Sequence, residues 1–330
     1  MLLVCNQKGI VLMSRAILKR AIQWSLTIGS AFLILRVIDL RTIPYIIASA
    51  NKFNLLLAFF IAMAHFFVGA WRWRNLIRLY GIEGVSYVRL CNLYIASFFV
   101  SSILPGTITG DGLRVYETRH DLHDTPTALA IVLLERLLGI ILLMIIGLIA
   151  WILIPIHPLL QFTIPHMEYV LILLVMASML LGLGAMFWRT SLTKMYQWVN
   201  NLLQVIIQLP ALIYARPLIA AKVLVGSIIY LFLSILIIFE SLHSTGVPIS
   251  LQVFLTVVPV ITLLLILPIS VQGIGVRESL YLAFLTPYGL SSEPIIAGLA
   301  LTYVIGVPFI LWGWVLFSRM SHIQPEIYRR

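Results

Sequence analysis

Charge is scarce in this chain. Only 10% of its 330 residues are Asp, Glu, Lys or Arg, where a soluble domain carries about 25%. With 61% hydrophobic residues and a mean hydropathy of +1.06, the composition excludes an ordinary soluble domain and predicts a polytopic membrane protein. Cysteine is nearly absent. Cys5 and Cys91 cannot form a Cys/His metal framework, and no disulfide is expected. Catalytic signatures are missing too. There is no Walker motif, so ATP hydrolysis would have to come from a partner, and no G-x-S-x-G or H-E-x-x-H. Acidic residues number 12 against 22 basic ones. In a soluble protein this excess would point to nucleic acid. Here it fits basic cytoplasmic loops meeting anionic headgroups, and no nucleic-acid partner is expected. The first apolar run has no small-residue cleavage site close behind it: Arg36, Asp39 and Arg41 precede Ala48-Ser49-Ala50. It reads as an uncleaved span, with Met1 or Met13 as the start.

Apolar runs fill the chain from about residue 21 to about 317. A span needs about 20 apolar residues. Full spans are expected at 21–39, 53–71, 127–154, 168–188, 223–240 and 294–317. Two further runs, 90–104 and 252–268, are short and end in proline and glycine. Trp71-Arg72-Trp73-Arg74 reads as an aromatic and basic interface anchor closing the second span. Residues 189–222, with apolar positions at helical spacing, read as an amphipathic helix on the membrane surface.

The two short runs end in the same pattern. Leu104-Pro105-Gly106-Thr107-Ile108-Thr109-Gly110-Asp111-Gly112-Leu113-Arg114 is answered by Leu267-Pro268-Ile269-Ser270-Val271-Gln272-Gly273-Ile274-Gly275-Val276-Arg277. Both read L-P-x-[TS]-[IV]-x-G-x-G-[LV]-R. Broken apolar segments at corresponding places in two halves point to a transporter's binding site. The positive-inside rule then chooses the topology. If both short runs dip into the membrane and return, the basic segments 1–20, 72–89, 189–222 and 318–330 all lie inside, and the Lys/Arg-free loops 155–168 and 241–251 lie outside. The expected architecture is all-α, with about six full spans and two re-entrant segments, eight apolar segments in all. It is one domain over 1–330, with inverted pseudo-repeats at about 15–160 and 165–320 and both termini cytoplasmic.

Irregular backbone at membrane depth survives only inside protein or along a wet cavity. Pro105, Gly106, Gly110, Gly112, Pro268, Gly273 and Gly275 can turn the chain and bare amide N–H groups, which favour anions. Arg114 and Arg277 follow these turns, and an arginine can grip phosphate through two parallel hydrogen bonds. A charge at mid-bilayer costs roughly 2.5–3.5 kcal/mol on insertion scales. Asp111, Glu117, Glu135, Arg136 and Glu278 should therefore face inward and pair. Glu135 and Arg136, adjacent on one helix, cannot face each other, so each needs a partner elsewhere. The expected site is a lipid-headgroup cleft holding Arg114, Arg277, Asp111, Glu278, Glu135 and Arg136, with no catalytic residue, metal or cofactor. Glu117, His120 and His123 have a spacing that a metal could use, but they read better as a wet loop. His65 reads as a hydrogen-bonded interior histidine.

Three ordered motifs resemble one family. Pro105-Gly106-x-x-x-Gly110-Asp111-x-x-Arg114, Glu135-Arg136-Leu137-Leu138-Gly139 and Pro268-x-Ser270-x-x-Gly273-x-Gly275-x-Arg277-Glu278 are similar to the lysylphosphatidylglycerol synthase transmembrane region family. Trp73-Arg74 fits as well, and the resemblance covers about residues 15–320. It implies a lipid-translocating membrane domain, fused in some relatives to a soluble aminoacyl-lipid synthase that this sequence lacks. Thr109 stands where relatives usually carry glycine, which restricts that turn. The expected function is a flippase of the cytoplasmic membrane moving an anionic or phosphate-linked lipid, a phospholipid or a polyprenyl-linked one. The alternatives are a membrane enzyme transferring a group on a lipid carrier, with Asp111 or Glu135 as base, and a non-catalytic partner of a lipid-modifying or glycan-assembly enzyme.

Overall fold

The computed structural model describes residues 41, 43–103, 109–119, 121–122, 125–153, 207–265 and 274–327. Among them every regular element is helical: α1 (Ile43–Ser49), α2 (Lys52–Leu79), α3 (Tyr87–Ile103), α4 (Thr109–Thr118), α5 (Thr125–Leu153), α6 (Pro217–Ser244), α7 (Leu251–Leu265), α8 (Val276–Leu285) and α9 (Ser292–Ile327). A 3-10 turn at Thr286–Tyr288 joins α8 to α9. The expected spans at 21–39 and 168–188 lie outside the described residues. Four helices, α2, α5, α6 and α9, are long and apolar enough to cross a membrane. The protein is an integral membrane protein by that measure.

Local chemistry sets the helix ends. The Asn51 side chain accepts a hydrogen bond from the Phe53 N–H at 2.9 Å, an N-cap that satisfies one of the orphan donors of α2. At α6 the cap is Arg216 and Pro217 opens the helix, where its missing N–H and fixed φ cost nothing. Residues 207–215 are helical and end at this cap, so Lys222 belongs to α6 rather than to the amphipathic stretch expected over 189–222. Gly275 caps α8 at φ 80°, a conformation open to glycine and costly for other residues. The Glu278 carboxylate accepts the Gly275 N–H at 2.7 Å.

The order of helix lengths recurs. A long helix (α2), a 17-residue helix (α3), a ten-residue helix (α4) and a long helix (α5) are followed by a long helix (α6), a 15-residue helix (α7), a ten-residue helix (α8) and a long helix (α9). The packing is reciprocal as well. Helices α2 and α6 lie along each other, α3 packs on α9, and α7 packs on α5. Each half's short apolar helix is thus covered by the last long helix of the other half. Two buried apolar clusters follow, one around Trp73, Leu76 and Ile131, the other around Ile235, Phe254 and Tyr281. The outward faces of the long helices keep large exposed apolar residues such as Phe60, Ile145, Phe232 and Trp314, as a lipid-facing surface requires.

Helix α2 differs from expectation at its C-terminal end. The Trp71–Arg74 stretch is not an interface anchor that ends the span. The helix runs on to Leu79, and Arg72 and Trp73 are buried. A charge breaks a hydropathy window but not a helix when a partner inside the protein receives it.

Candidate functional site

Helix α5 brings a carboxylate into the middle of an apolar bundle. Glu135 is 3% exposed, and its two oxygens meet two guanidiniums. Arg72 on α2 donates to Oε1 and Arg114 on α4 donates to Oε2. The Tyr94 hydroxyl on α3 also donates to Oε1, at 3.3 Å. Helix α5 sends the next residue the other way: Arg136 pairs through Nε with Asp111 Oδ2. Asp111 lies 3.5 Å from Arg114 Nη1 through its other oxygen. Arg72, Glu135, Arg114, Asp111 and Arg136 therefore form one alternating chain of charges across three helices, α2, α4 and α5. Three guanidiniums face two carboxylates. Breaking such a buried pair leaves an uncompensated charge and costs about 3–5 kcal/mol.

Aromatic faces complete the cluster. The Arg114 guanidinium lies 4.0 Å over the Trp73 ring and 4.7 Å over Tyr94, and Arg72 lies 4.1 Å over Tyr230 of α6. Such stacking is favourable when the cation is desolvated, and arginine suits it because its plane stacks while its edge hydrogen-bonds. Nε of Arg72 and Nε of Arg114 have no hydrogen-bond partner among the described residues.

The second motif builds a smaller cluster. Arg277 on α8 donates through Nε to Glu278 Oε1 at 3.1 Å, and through Nη2 to the Leu299 carbonyl at 3.1 Å and Thr302 Oγ1 at 2.9 Å on α9. It stacks 4.2 Å over Tyr303, whose hydroxyl donates to Glu278 Oε1 at 3.0 Å.

Both clusters reach one cavity. It has a volume of about 480 Å³ and is lined by Asp111, Arg114 and Arg136 from the first half and by Arg277, Thr302 and Tyr303 from the second. That size lies within the roughly 300–1,000 Å³ of ligand pockets. Its remaining walls are largely apolar side chains of α2, α3, α6 and α9, interrupted by serines. Glu135 stands behind the arginines, and Glu278 is 7% exposed beneath Arg277.

Of the motif's backbone residues, Pro105, Gly106, Pro268 and Gly273 lie outside the described residues. The three glycines that are described play different parts. Gly110 sits in the first turn of α4, where its N–H is donated to Ser101 Oγ at 3.1 Å. A Cβ there would lie 2.2 Å from Ser101 Oγ and 2.3 Å from the Ser97 carbonyl oxygen, so Gly110 lets α4 approach α3. Gly112 is helical and exposed, with open space around it. Gly275 is the positive-φ cap of α8.

Sequence reasoning missed Arg72, Tyr94, Tyr230, Thr302 and Tyr303. One signal was legible: His65, Gly69, Arg72 with Trp73, and Leu76 fall on one face at helical spacing. A carboxylate at position 135 in a span also demanded a cation. His65 does line the cavity and stacks 3.9 Å from Tyr230. Contrary to expectation, its Nε2 has no hydrogen-bond partner among the described residues. Of Glu117, His120 and His123, only Glu117 is described, and the described residues hold no cluster suited to a metal.

Two broken motifs with an arginine each, and a Glu-Arg pair inside a span, all converging on one cavity, agree with the match to the family model for the lysylphosphatidylglycerol synthase TM region, which covers residues 21–313. The chain belongs to this family. Membership places it among membrane proteins that act on lipids, and the match takes in both arginine clusters and nearly the whole chain. No curated protein shows a significant match to it.

Proposed function

We propose that this family member is a lipid translocase. It moves an anionic or phosphate-linked lipid between leaflets through the central cavity, without hydrolysing ATP and without altering the lipid. The observation that carries the reading is that Arg114 and Arg277, each delivered by a broken motif of a different half, line the same cavity. Each guanidinium is pre-oriented by an aromatic face and a carboxylate. A phosphate can take the place of a carboxylate in such a grip, because both offer oxygens to the same fork of donors. The apolar walls suit acyl chains trailing toward the bilayer.

In this mechanism the two halves are inverted repeats, and the short helices α3 with α4 and α7 with α8 are re-entrant hairpins entering from opposite faces of the cytoplasmic membrane, with both termini cytoplasmic. Headgroup passes from one arginine to the other as the halves rock. Asp111 and Glu278 hold the empty arginines and release them when phosphate arrives. Alternating access around a fixed site follows from this symmetry.

Transfer of a fluorescent phosphatidylglycerol between leaflets of proteoliposomes tests the reading. Hydrogen bonds to a charged group contribute about 1.5–3 kcal/mol, so Arg114→Ala and Arg277→Ala should each slow transfer by tenfold or more, and the double variant should leave only the protein-free leak. A folded double variant that transfers lipid at the wild-type rate would overturn it.

A further inference from the structure

We infer that the C-terminal end of α2 carries a second anion site, separate from the central cavity, which takes the phosphate group of an anionic lipid between Arg74 and Arg78. The site does not depend on the translocation reading.

Helix α2 carries three arginines near its C-terminal end, and the fold treats them in two ways. Arg72 turns inward to Glu135 and Tyr230. Arg74 and Arg78 stand one turn apart and so share a face of the helix. Both are partly buried. Neither makes a hydrogen bond or an ion pair with a described residue. Like charges at this spacing repel each other, so the pair is unfavourable until an anion lies between them.

The chain folds a wall opposite this pair. Gly81 and Gly84 take φ values of 85° and 94°, a conformation that favours glycine. The turn sets Ile82, Glu83, Gly84 and Val85 around one small cavity with Arg74 and Arg78. Its volume is about 110 Å³, well below the roughly 300–1,000 Å³ of drug-sized ligand pockets. It suits one small charged group rather than a whole ligand. Glu83 is exposed and, among the described residues, pairs with neither arginine. A third guanidinium stands beside the turn. Arg216, the cap of α6, donates through Nη1 to the Arg78 carbonyl at 2.7 Å, and the same carbonyl accepts the Gly81 N–H at 3.0 Å. The negative end of the α2 dipole is thus offset by a cation from the other half.

The donors suit phosphate. Guanidiniums offer parallel N–H groups, and phosphate has enough oxygens to accept from both arginines at once. The surroundings favour a lipid as its source. Ile82 and Val85 give the cavity an apolar edge, and Tyr214 and Leu218, which flank Arg216 in the chain, are exposed. Acyl chains have apolar surface to lie on there, which a free phosphate would not use. In the topology proposed above, this end of the bundle meets the cytoplasmic leaflet, whose surface is negative.

The test is native mass spectrometry of the purified full chain, titrated with dioctanoyl phosphatidylglycerol and with zwitterionic dioctanoyl phosphatidylcholine. Arg74→Gln combined with Arg78→Gln should weaken phosphatidylglycerol binding at one site by about tenfold or more and leave phosphatidylcholine binding unchanged. Glu83→Gln, which removes the carboxylate at the cavity, should tighten the same site by about two- to fivefold. Lys52→Gln combined with Arg319→Gln makes the same change of charge at exposed positions elsewhere and should have no effect. An unchanged titration in the Arg74/Arg78 variant overturns the site. An equal loss in the Lys52/Arg319 variant also overturns it, in favour of bulk charge. Displacement of the lipid by equimolar inorganic phosphate overturns the lipid as its source. Each of these failures leaves translocation standing, because Arg114 and Arg277 lie outside this cavity.

Discussion

The two arginine clusters come from the same eleven-residue pattern yet are built differently. Around Arg114 the partners come from α2, α3 and α5 as well as from its own helix, and the central carboxylate, Glu135, belongs to a helix that carries no part of the motif. Around Arg277 the carboxylate is the next residue in the chain, and the other partners are a carbonyl, a hydroxyl and a ring on α9. The first cluster ties three helices together by ion pairs and a fourth, α3, by the Tyr94 hydroxyl. The second ties two helices by one local ion pair and neutral hydrogen bonds. A network of buried charges holds only while every member is present. A local cluster can lose one bond and keep the rest. The first is therefore the more rigid of the two, and the second the more tolerant of losing a contact.

The sharpest way to break this contrast is to remove one carboxylate from each side. Glu135→Ala leaves Arg72 and Arg114 buried without their shared partner and should cost about 3–5 kcal/mol, read as loss of folded, monodisperse protein or a large drop in thermal midpoint in detergent. Glu278→Gln keeps an oxygen to accept the Gly275 N–H and should cost about 0.5–1.5 kcal/mol, a small shift by the same measurement. Equal shifts would erase the distinction between the rigid cluster and the tolerant one. Next in size is the pair of motif glycines. Gly110→Ala forces a methyl group into the Ser97 carbonyl and should destabilise by about 1–3 kcal/mol. Gly112→Ala, two residues on with open space around it, should stabilise by roughly 0.5–1 kcal/mol. Thermal unfolding of both variants checks the claim, and opposite signs are the expected outcome. The smallest effect belongs to Thr302→Val, which removes one neutral partner of Arg277. It should change stability by about 1 kcal/mol or less and should loosen the second cluster without touching the first.

Much of the fold was legible before any coordinates. The spans at 53–71, 127–154, 223–240 and 294–317 all correspond to long helices, and the short runs before each break correspond to α3 and α7. Pro259, inside the second short run, is accommodated within α7. What hydropathy could not give was the extent of α2. Its window closes at Arg72, but the helix continues for seven more residues because Glu135 and Tyr230 receive that guanidinium. The need of Glu135 and Arg136 for separate partners was also legible, from helical geometry alone. Which partners they find was not, since Arg72 is 63 residues away from Glu135 and Asp111 is 25 away from Arg136.

By itself the sequence determined that this protein lives in a membrane, that its apolar pattern is broken twice in the same way, and that each break supplies an arginine. Those properties are local, because lipid asks of each segment in turn that it be apolar and that its backbone groups be satisfied. Only the tertiary structure decided that both arginines open onto one cavity and which carboxylate meets which guanidinium. Those depend on α3 packing on α9 and α7 on α5, a choice made by shape and charge between segments that no stretch of sequence contains.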